Sequence, residues 1–224
     1  MKTTKINFIY QRSATILSLV ILTLAIVAAI TGIIIGFNYQ PAAGDAYKSL
    51  SNIANNLNYG WLLLSLHNWA GNGIIVVSLI QIIIIFLGRQ FRTSWLTSWI
   101  SGILLTLTTI GLGWTAMILG WNQLGYWRLK VELEIISSIP LIGETIANIL
   151  TGGGGINTTT IEHFYTIHGY VLSLGAIALS TIHLLVLIVQ EQEQKGILVT
   201  QLERLFVLKN QKQEEAKQTS DINI

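Results

Sequence analysis

"EHFYTIHGYVLSLGAIALSTIH", residues 162–183, decides the fold of this chain. Residues 163–190 carry no charged side chain, and they are long enough and apolar enough to cross a bilayer as one helix. Two histidines, His168 and His183, nevertheless lie within this segment. Ionisable residues are rare in membrane-spanning helices, and they mark candidate functional sites where they occur.

The rest of the chain shows the same apolar character. Of its 224 residues, 51% are hydrophobic and only 11% are charged, against about 25% charged residues in a soluble domain. Because lipid cannot satisfy backbone hydrogen bonds, uncharged stretches of this length predict an all-α, four-helix transmembrane bundle. The predicted spans are helices A to D, at about 14–37, 60–87, 98–120 and 164–190.

The sequence predicts one membrane domain, residues 1–190, followed by a polar segment, residues 191–224. Within that segment, "GILVTQLERLFVLK" has apolar residues at helical spacing with basic residues nearby, which favours a helix on the cytoplasmic-side membrane surface. The last dozen residues are polar and charged, and we expect them to be disordered. The long C–D connection is predicted to carry one or two short surface helices.

Basic residues flank the spans unevenly, and this sets the predicted orientation. Ten of the 13 lysines and arginines precede A, join B to C or follow D. They are Lys2, Lys5, Arg12, Arg89, Arg92, Lys195, Arg204, Lys209, Lys212 and Lys217. We therefore expect a multi-pass membrane protein with both termini in the cytoplasm or stroma. The net charge of +2 reflects this topology, so we expect lipid and no nucleic acid as a partner.

The histidines also differ in depth. His67 lies about seven residues into B and His168 about four into D, within roughly 5 Å of each other in depth. A haem iron held between two imidazoles requires such a pair on facing helices. The alternative is a neutral imidazole that hydrogen-bonds to a neighbouring helix. His183 lies roughly 22 Å deeper, and the corresponding position on B is Gln81.

Seven stretches, in order, carry a resemblance to a known family. They are "INFIY", "ITGIIIGFNYQP", "YGWLLLSLHNW", "GWNQLGYW", "SSIPLIG", "FYTIH" and Ile182–His183 followed by "QKG". From about residue 6 to 200 the chain resembles cytochrome b6, the four-helix haem subunit of the cytochrome b6f complex. It is also similar to the N-terminal half of mitochondrial and bacterial cytochrome b.

The resemblance implies two b-type haems stacked across the bilayer, which carry electrons between quinone sites near each face. It implies that His67 and His168 bind the iron of the outer haem. His183 matches one ligand of the inner haem, and Gln81 stands where the other ligand is expected. An amide is a poor iron ligand, so three alternatives stay open: His183 holds an inner haem alone, it does so with weak help from Gln81, or it is a core histidine without a haem.

Glycines of helices A and C have two interpretations. The missing side chain lets a flat porphyrin approach the backbone, or it lets two helices pack closely. Gly32 and Gly113 match family glycines beside the haems, so the first interpretation is favoured for these two.

The chain also departs from the family. Asn68 and Leu64 replace arginines, of which the first pairs with a haem propionate in the family. The chain has no cysteine, which excludes disulfides, iron–sulfur clusters and thioether-linked haem within it. It also lacks the covalent inner-face haem of the b6 type. The quinol-oxidising motif belongs to later helices that are absent here.

We therefore expect a membrane b-type haem protein that carries electrons, beside quinone or other subunits of a cytochrome complex. It would be an electron-transfer subunit of an oxidoreductase, without catalytic residues of its own. A second hypothesis is an open-coordination haem sensor, suggested by His183 opposite Gln81. A third is a structural or assembly subunit with reduced haem content. The expected location is a cyanobacterial thylakoid or a bacterial plasma membrane.

Overall fold

The structure, a computed structural model, describes residues 2–88 and 96–222. Within these ranges it is all-α, which confirms the predicted fold class. The elements are α1 (Lys2–Gly36), α2 (Ala46–Asn56), α3 (Gly60–Leu87), α4 (Leu96–Leu119), α5 (Gln123–Ser137), α6 (Gly143–Thr151), α7 (Thr158–Thr166), a π-helical segment (Ile167–Leu172) and α8 (Ser173–Ile222). The predicted basic turn at Arg89 and Arg92 lies outside the described residues.

Four helices of the described chain are long and apolar enough to cross a membrane. They are Phe8–Gly36 within α1, Gly60–Leu87, Leu96–Leu119 and the helix from Thr158 to Gln213. Their number and order match predicted helices A to D. The protein is an integral membrane protein, as its apolar helices require.

The four long helices pack as a bundle in which α1 contacts α3 and α8, and α4 contacts the same two helices. Apolar layers fill the interior, because each helix turns its uncharged side chains toward its neighbours. One layer lies in the middle of the bundle and one at its N-terminal end. The middle layer comprises Ile21, Ala25, Ile74 and Leu105, and the end layer comprises Ala14, Ile85 and Leu187.

Short helices cover the other end of the bundle. They are α5 and α6 in the C–D connection, where one or two were predicted, and α2 between α1 and α3; α7 forms the start of the fourth span. Asn157 caps α7 through a capping box with Thr160, which satisfies backbone donors at that helix start. This lid packs on the ends of α3 and α4 through two apolar clusters that include Ile53, Ile118 and Phe164.

The C-terminal segment continues the last span as helix. α8 runs from Ser173 to Ile222 without a break, through the stretch predicted to be a surface helix and a disordered tail. The division into residues 1–190 and 191–224 stays a prediction.

Candidate functional site

The lid end of the bundle brings two of the predicted site residues together. The rings of His67 on α3 and His168 in the π segment have centroids 6.3 Å apart, with their planes inclined by 60°. A metal–imidazole bond is about 2 Å long, and a ring centroid lies about 1 Å behind its nitrogen. Two imidazoles on opposite sides of one metal ion therefore have centroids about 6 Å apart. We call this pair and its hydrogen-bond partners the outer level.

Hydrogen bonds set the protonation of both rings. His67 Nδ1 lies 2.9 Å from the carbonyl oxygen of Ala28, which can only accept, so Nδ1 carries the proton. His168 Nδ1 lies 2.8 Å from Thr115 Oγ1. That hydroxyl donates its own hydrogen to the backbone of α4, so it accepts from His168. Each ring therefore keeps its Nε2 lone pair for a ligand.

His168 lies in a local departure from the α-helix. Residues Ile167–Leu172 form a π-helical segment between α7 and α8. Such segments occur as single turns within α-helices, often at functional sites, and take up about one additional residue. The 15 residues from His168 to His183 therefore cover about the same distance along the helix axis as 14 residues of a regular α-helix. This equals the spacing from His67 to Gln81 on α3.

Gly32 allows α1 to approach the outer level closely. A Cβ atom at this position would lie 3.0 Å from His67 Cε1. Gly113, also predicted beside a haem, faces Ile75 instead, where a Cβ atom would lie 2.7 Å from Cδ1. The contact at Gly113 is thus between helices, and its role beside a haem stays a prediction.

The inner level contains His183, Gln81 and their hydrogen-bond partners. His183 Nδ1 lies 2.8 Å from Ser101 Oγ, and Ser101 in turn donates to a backbone carbonyl of α4. His183 therefore has the same protonation as the outer pair. Gln81 Nε2 donates to the carbonyl oxygen of Ala14 at 2.9 Å, so its amide is engaged by α1.

The two levels differ in accessibility. His67 and His168 are half-buried. His183 is 0% exposed and Gln81 is 2% exposed. The Nε2 atom of His183 is buried, and it has no hydrogen-bond partner among the described residues.

The lid adds two contacts above the outer level. The Tyr39 hydroxyl donates to the carbonyl oxygen of Leu119 at 2.8 Å. Burial, together with Tyr165 beside it, raises the pKa of Tyr39, so the hydroxyl keeps its proton. Glu132 accepts from Trp114 Nε1 and from Arg128 Nε, each at 2.6 Å.

Sequence reasoning missed several residues of these levels. Thr115 and Ser101 orient histidines, and Gly102 packs against His183, where a Cβ atom would lie 3.1 Å from Cε1. Threonines and serines are common in membrane helices, so their identity alone gave no signal. His163, near the start of the last long helix, lies with Nδ1 2.8 Å from the carbonyl oxygen of Ile149.

Comparisons with known proteins identify the family of the chain. Residues 2–191 match the family model described as cytochrome b/b6/petB. Cytochrome b6 of Tupiella akineta is 30% identical over 74% of this chain and 77% of its own length. Cytochrome b6 of Auxenochlorella protothecoides is 29% identical over the same shares.

A solved structure shares the fold. A chain of a hyperthermophilic respiratory complex III superposes with a TM-score of 0.65 and 24% sequence identity. The superposition covers 79% of this chain and 47% of that chain, so this chain corresponds to about half of its neighbour. The family model covers most of this chain, and the chain therefore belongs to the cytochrome b/b6 family.

Proposed function

We propose that this protein binds a haem b between His67 and His168 and carries electrons as a subunit of a membrane cytochrome complex. Membership of the cytochrome b/b6 family implies haem b binding and membrane electron transfer. The observation that supports the site is the 6.3 Å separation of the two half-buried rings. Their protonation leaves Nε2 of each ring free to bind iron.

When bound at this level, haem b supplies the one-electron redox centre. His67 and His168 would hold the iron through their Nε2 atoms. The Ala28 carbonyl and the Thr115 hydroxyl accept the Nδ1 protons, which fixes the ring orientations and makes the ligand nitrogens more basic. The apolar lid over α3 and α4 limits access of water from that end.

Mutation of the two ligands tests the site. His67→Ala and His168→Ala should each abolish the same low-spin haem spectrum, because each removes one axial bond to one iron. His163→Ala is the matched control, since His163 lies five residues from His168 and bonds to a backbone carbonyl. It should keep the spectrum. Free imidazole should restore the signal in the alanine variants if the fold is intact.

An unchanged spectrum in either ligand variant would contradict the pairing. The two other functions left open by the sequence give different spectra. A high-spin component that binds carbon monoxide would favour the sensor, and a protein without any Soret band would favour the structural subunit.

The uneven basic flanks support an orientation with both termini on the cytoplasmic or stromal side. The chain has no cysteine, so one introduced thiol is a unique label. Lys48→Cys, on α2, and Lys209→Cys, on α8, both replace exposed lysines. A membrane-impermeant thiol reagent should label them from opposite sides, and labelling from the same side would contradict the orientation.

The partners proposed are lipid, other subunits of a cytochrome complex and quinone. The family supports this assignment, as does the match of this chain to part of a longer complex III chain. Gentle solubilisation followed by size-exclusion chromatography should recover haem in a species larger than the chain alone. Recovery of haem only with the isolated chain would contradict a complex.

A further inference from the structure

The hydrogen bonds place Gln81 and His183 at the same depth in the bundle. Gln11 near the start of α1 donates to the carbonyl oxygen of Leu187 on α8 at 3.0 Å. Since the two helices are antiparallel, Ala14, one turn further along α1, is level with His183, one turn back along α8. Gln81 bonds to that same Ala14. The inner level therefore has an imidazole and an amide at the positions where the outer level has two imidazoles.

The side chains of the inner level are almost completely buried. His183 and Ser18 are 0% exposed, Gln81 is 2% exposed and Ser101 is 6% exposed. Pairs of imidazoles that enclose a macrocycle must leave a gap between their helices, whereas the side chains of the inner level are almost completely buried. A packed interior does not open without the loss of many contacts.

Gln81 and the Nδ1 edge of His183 at the inner level already hydrogen-bond to neighbouring helices. The Gln81 amide is held by α1, and the Nδ1 edge of His183 is held by Ser101 on α4. The ring also lies against Gly102, where a Cβ atom would be 3.6 Å from Nε2. At the outer level a Cβ atom on Gly32 would be 4.0 Å from His67 Nε2. The ligand nitrogen of His183 therefore lies closer to the neighbouring helix than that of His67.

Apolar layers close the inner level above and below. The middle layer of the bundle, which includes Ile21 and Leu105, lies on one side, and Ile85 and Leu187 of the end layer lie on the other. Between them, Ser18 Oγ and His183 Nε2 are buried without a hydrogen-bond partner among the described residues. Internal water is the usual partner of such groups.

We infer that the inner level excludes haem, so that this chain carries a single haem at the outer level. The inference rests on the proposed function, because it assumes the outer haem and concerns the second one. The lone Nε2 of His183 has the chemistry of a ligand, but neither the space nor the opposite imidazole is present. An electron at the outer level is then separated from the inner level by about 14 residues of packed helix, roughly 21 Å, and the far end of the bundle lies further away. Transfer across the membrane would require a carrier on a partner subunit.

Haem counting on the purified full chain tests this inference. The pyridine haemochrome spectrum, divided by protein from amino-acid analysis, should give one haem per chain, and the reduced protein should not bind carbon monoxide. Two haems per chain, or a carbon-monoxide-sensitive fraction, would overturn the inference and leave the outer site intact. No haem at all would overturn the proposed function itself.

Variants of the inner histidine separate the two levels. His183→Ala and the larger, polar His183→Gln should keep one haem per chain and an unchanged low-spin spectrum. His168→Ala, on the same helix, should lose the bound haem and the low-spin spectrum. If His183→Ala does not fold, His183→Gln and the haem count of the unmodified protein still decide the question. A halved haem content in a folded His183 variant would show that an inner haem exists.

Discussion

The outer and inner levels are built from the same parts and differ in one position. Each has a histidine on the last long helix, a hydroxyl on α4 that accepts its Nδ1 proton, and a glycine beside an imidazole. On α3 the outer level has His67, and the inner level has Gln81, whose amide bonds to α1. If the inner level excludes haem as we infer, correct orientation of one histidine is not sufficient for a haem site. The facing residue and the space between the helices decide it.

The largest difference between the two levels is expected when the hydroxyls that orient the histidines are removed. Thr115→Val removes the acceptor of His168 Nδ1, and loss of such a partner typically lowers metal affinity by about 10–100-fold. Ser101→Ala removes the equivalent acceptor of His183, and it should leave haem affinity unchanged. Haem titration of the apoprotein measures both. Equal losses in the two variants would show that both levels bind haem.

Substitution of the glycine beside each histidine also tests the difference between the two levels. Gly32→Ala places a methyl group about 3.0 Å from His67, and such overpacking costs about 1–3 kcal/mol. Gly102→Ala crowds His183 similarly, at 3.1 Å. Both variants should melt at lower temperature in detergent, but only Gly32→Ala should alter the haem spectrum. A spectral change from Gly102→Ala would contradict the closed inner level.

Replacement of Gln81 by histidine supplies the missing imidazole. Gln81→His removes the hydrogen bond to Ala14, which costs about 1 kcal/mol. Because the inner level is packed, the haem count should stay at one per chain. Gln81→Leu is the control for the lost hydrogen bond, and it should show the same loss of thermal stability. A rise to two haems in Gln81→His alone would show that only the ligand was missing.

The smallest effect is expected at the lid. Glu132 joins Trp114 of α4 to Arg128 of α5, and Trp114 precedes Thr115, the partner of His168. Glu132→Gln removes a partly exposed ion pair worth about 0.2–1 kcal/mol but can keep the bond to Trp114. The melting temperature should fall slightly, and the haem spectrum should be unchanged. A clear shift in redox potential would show that Glu132 helps to position His168.

Hydropathy and charge were sufficient to predict the spans and the outer pair. Residues 60–87 were predicted and observed as one helix, because the segment is uncharged, apolar and long enough to cross a bilayer. His67 and His168 were paired because they lie at similar depths from the same ends of two parallel spans.

Tertiary contacts account for what the sequence did not predict. Ser101 and Thr115 act through hydroxyl groups that any membrane helix can carry, and only the facing helix makes them partners of histidines. The Gln81–Ala14 bond at the inner level links residues 67 positions apart. The π segment has no sequence signature that the predicted periodicity could detect.

That π segment also bears on how chains of this kind change in length. A residue inserted into a regular α-helix rotates everything beyond it by about 100°, and it would turn His183 away from the bundle interior. A π turn accommodates the extra residue locally, so the remainder of α8 keeps the same face toward the bundle interior. Ile167–Leu172 is therefore a place where ancestral chains could gain or lose one codon while both histidines continued to face inward.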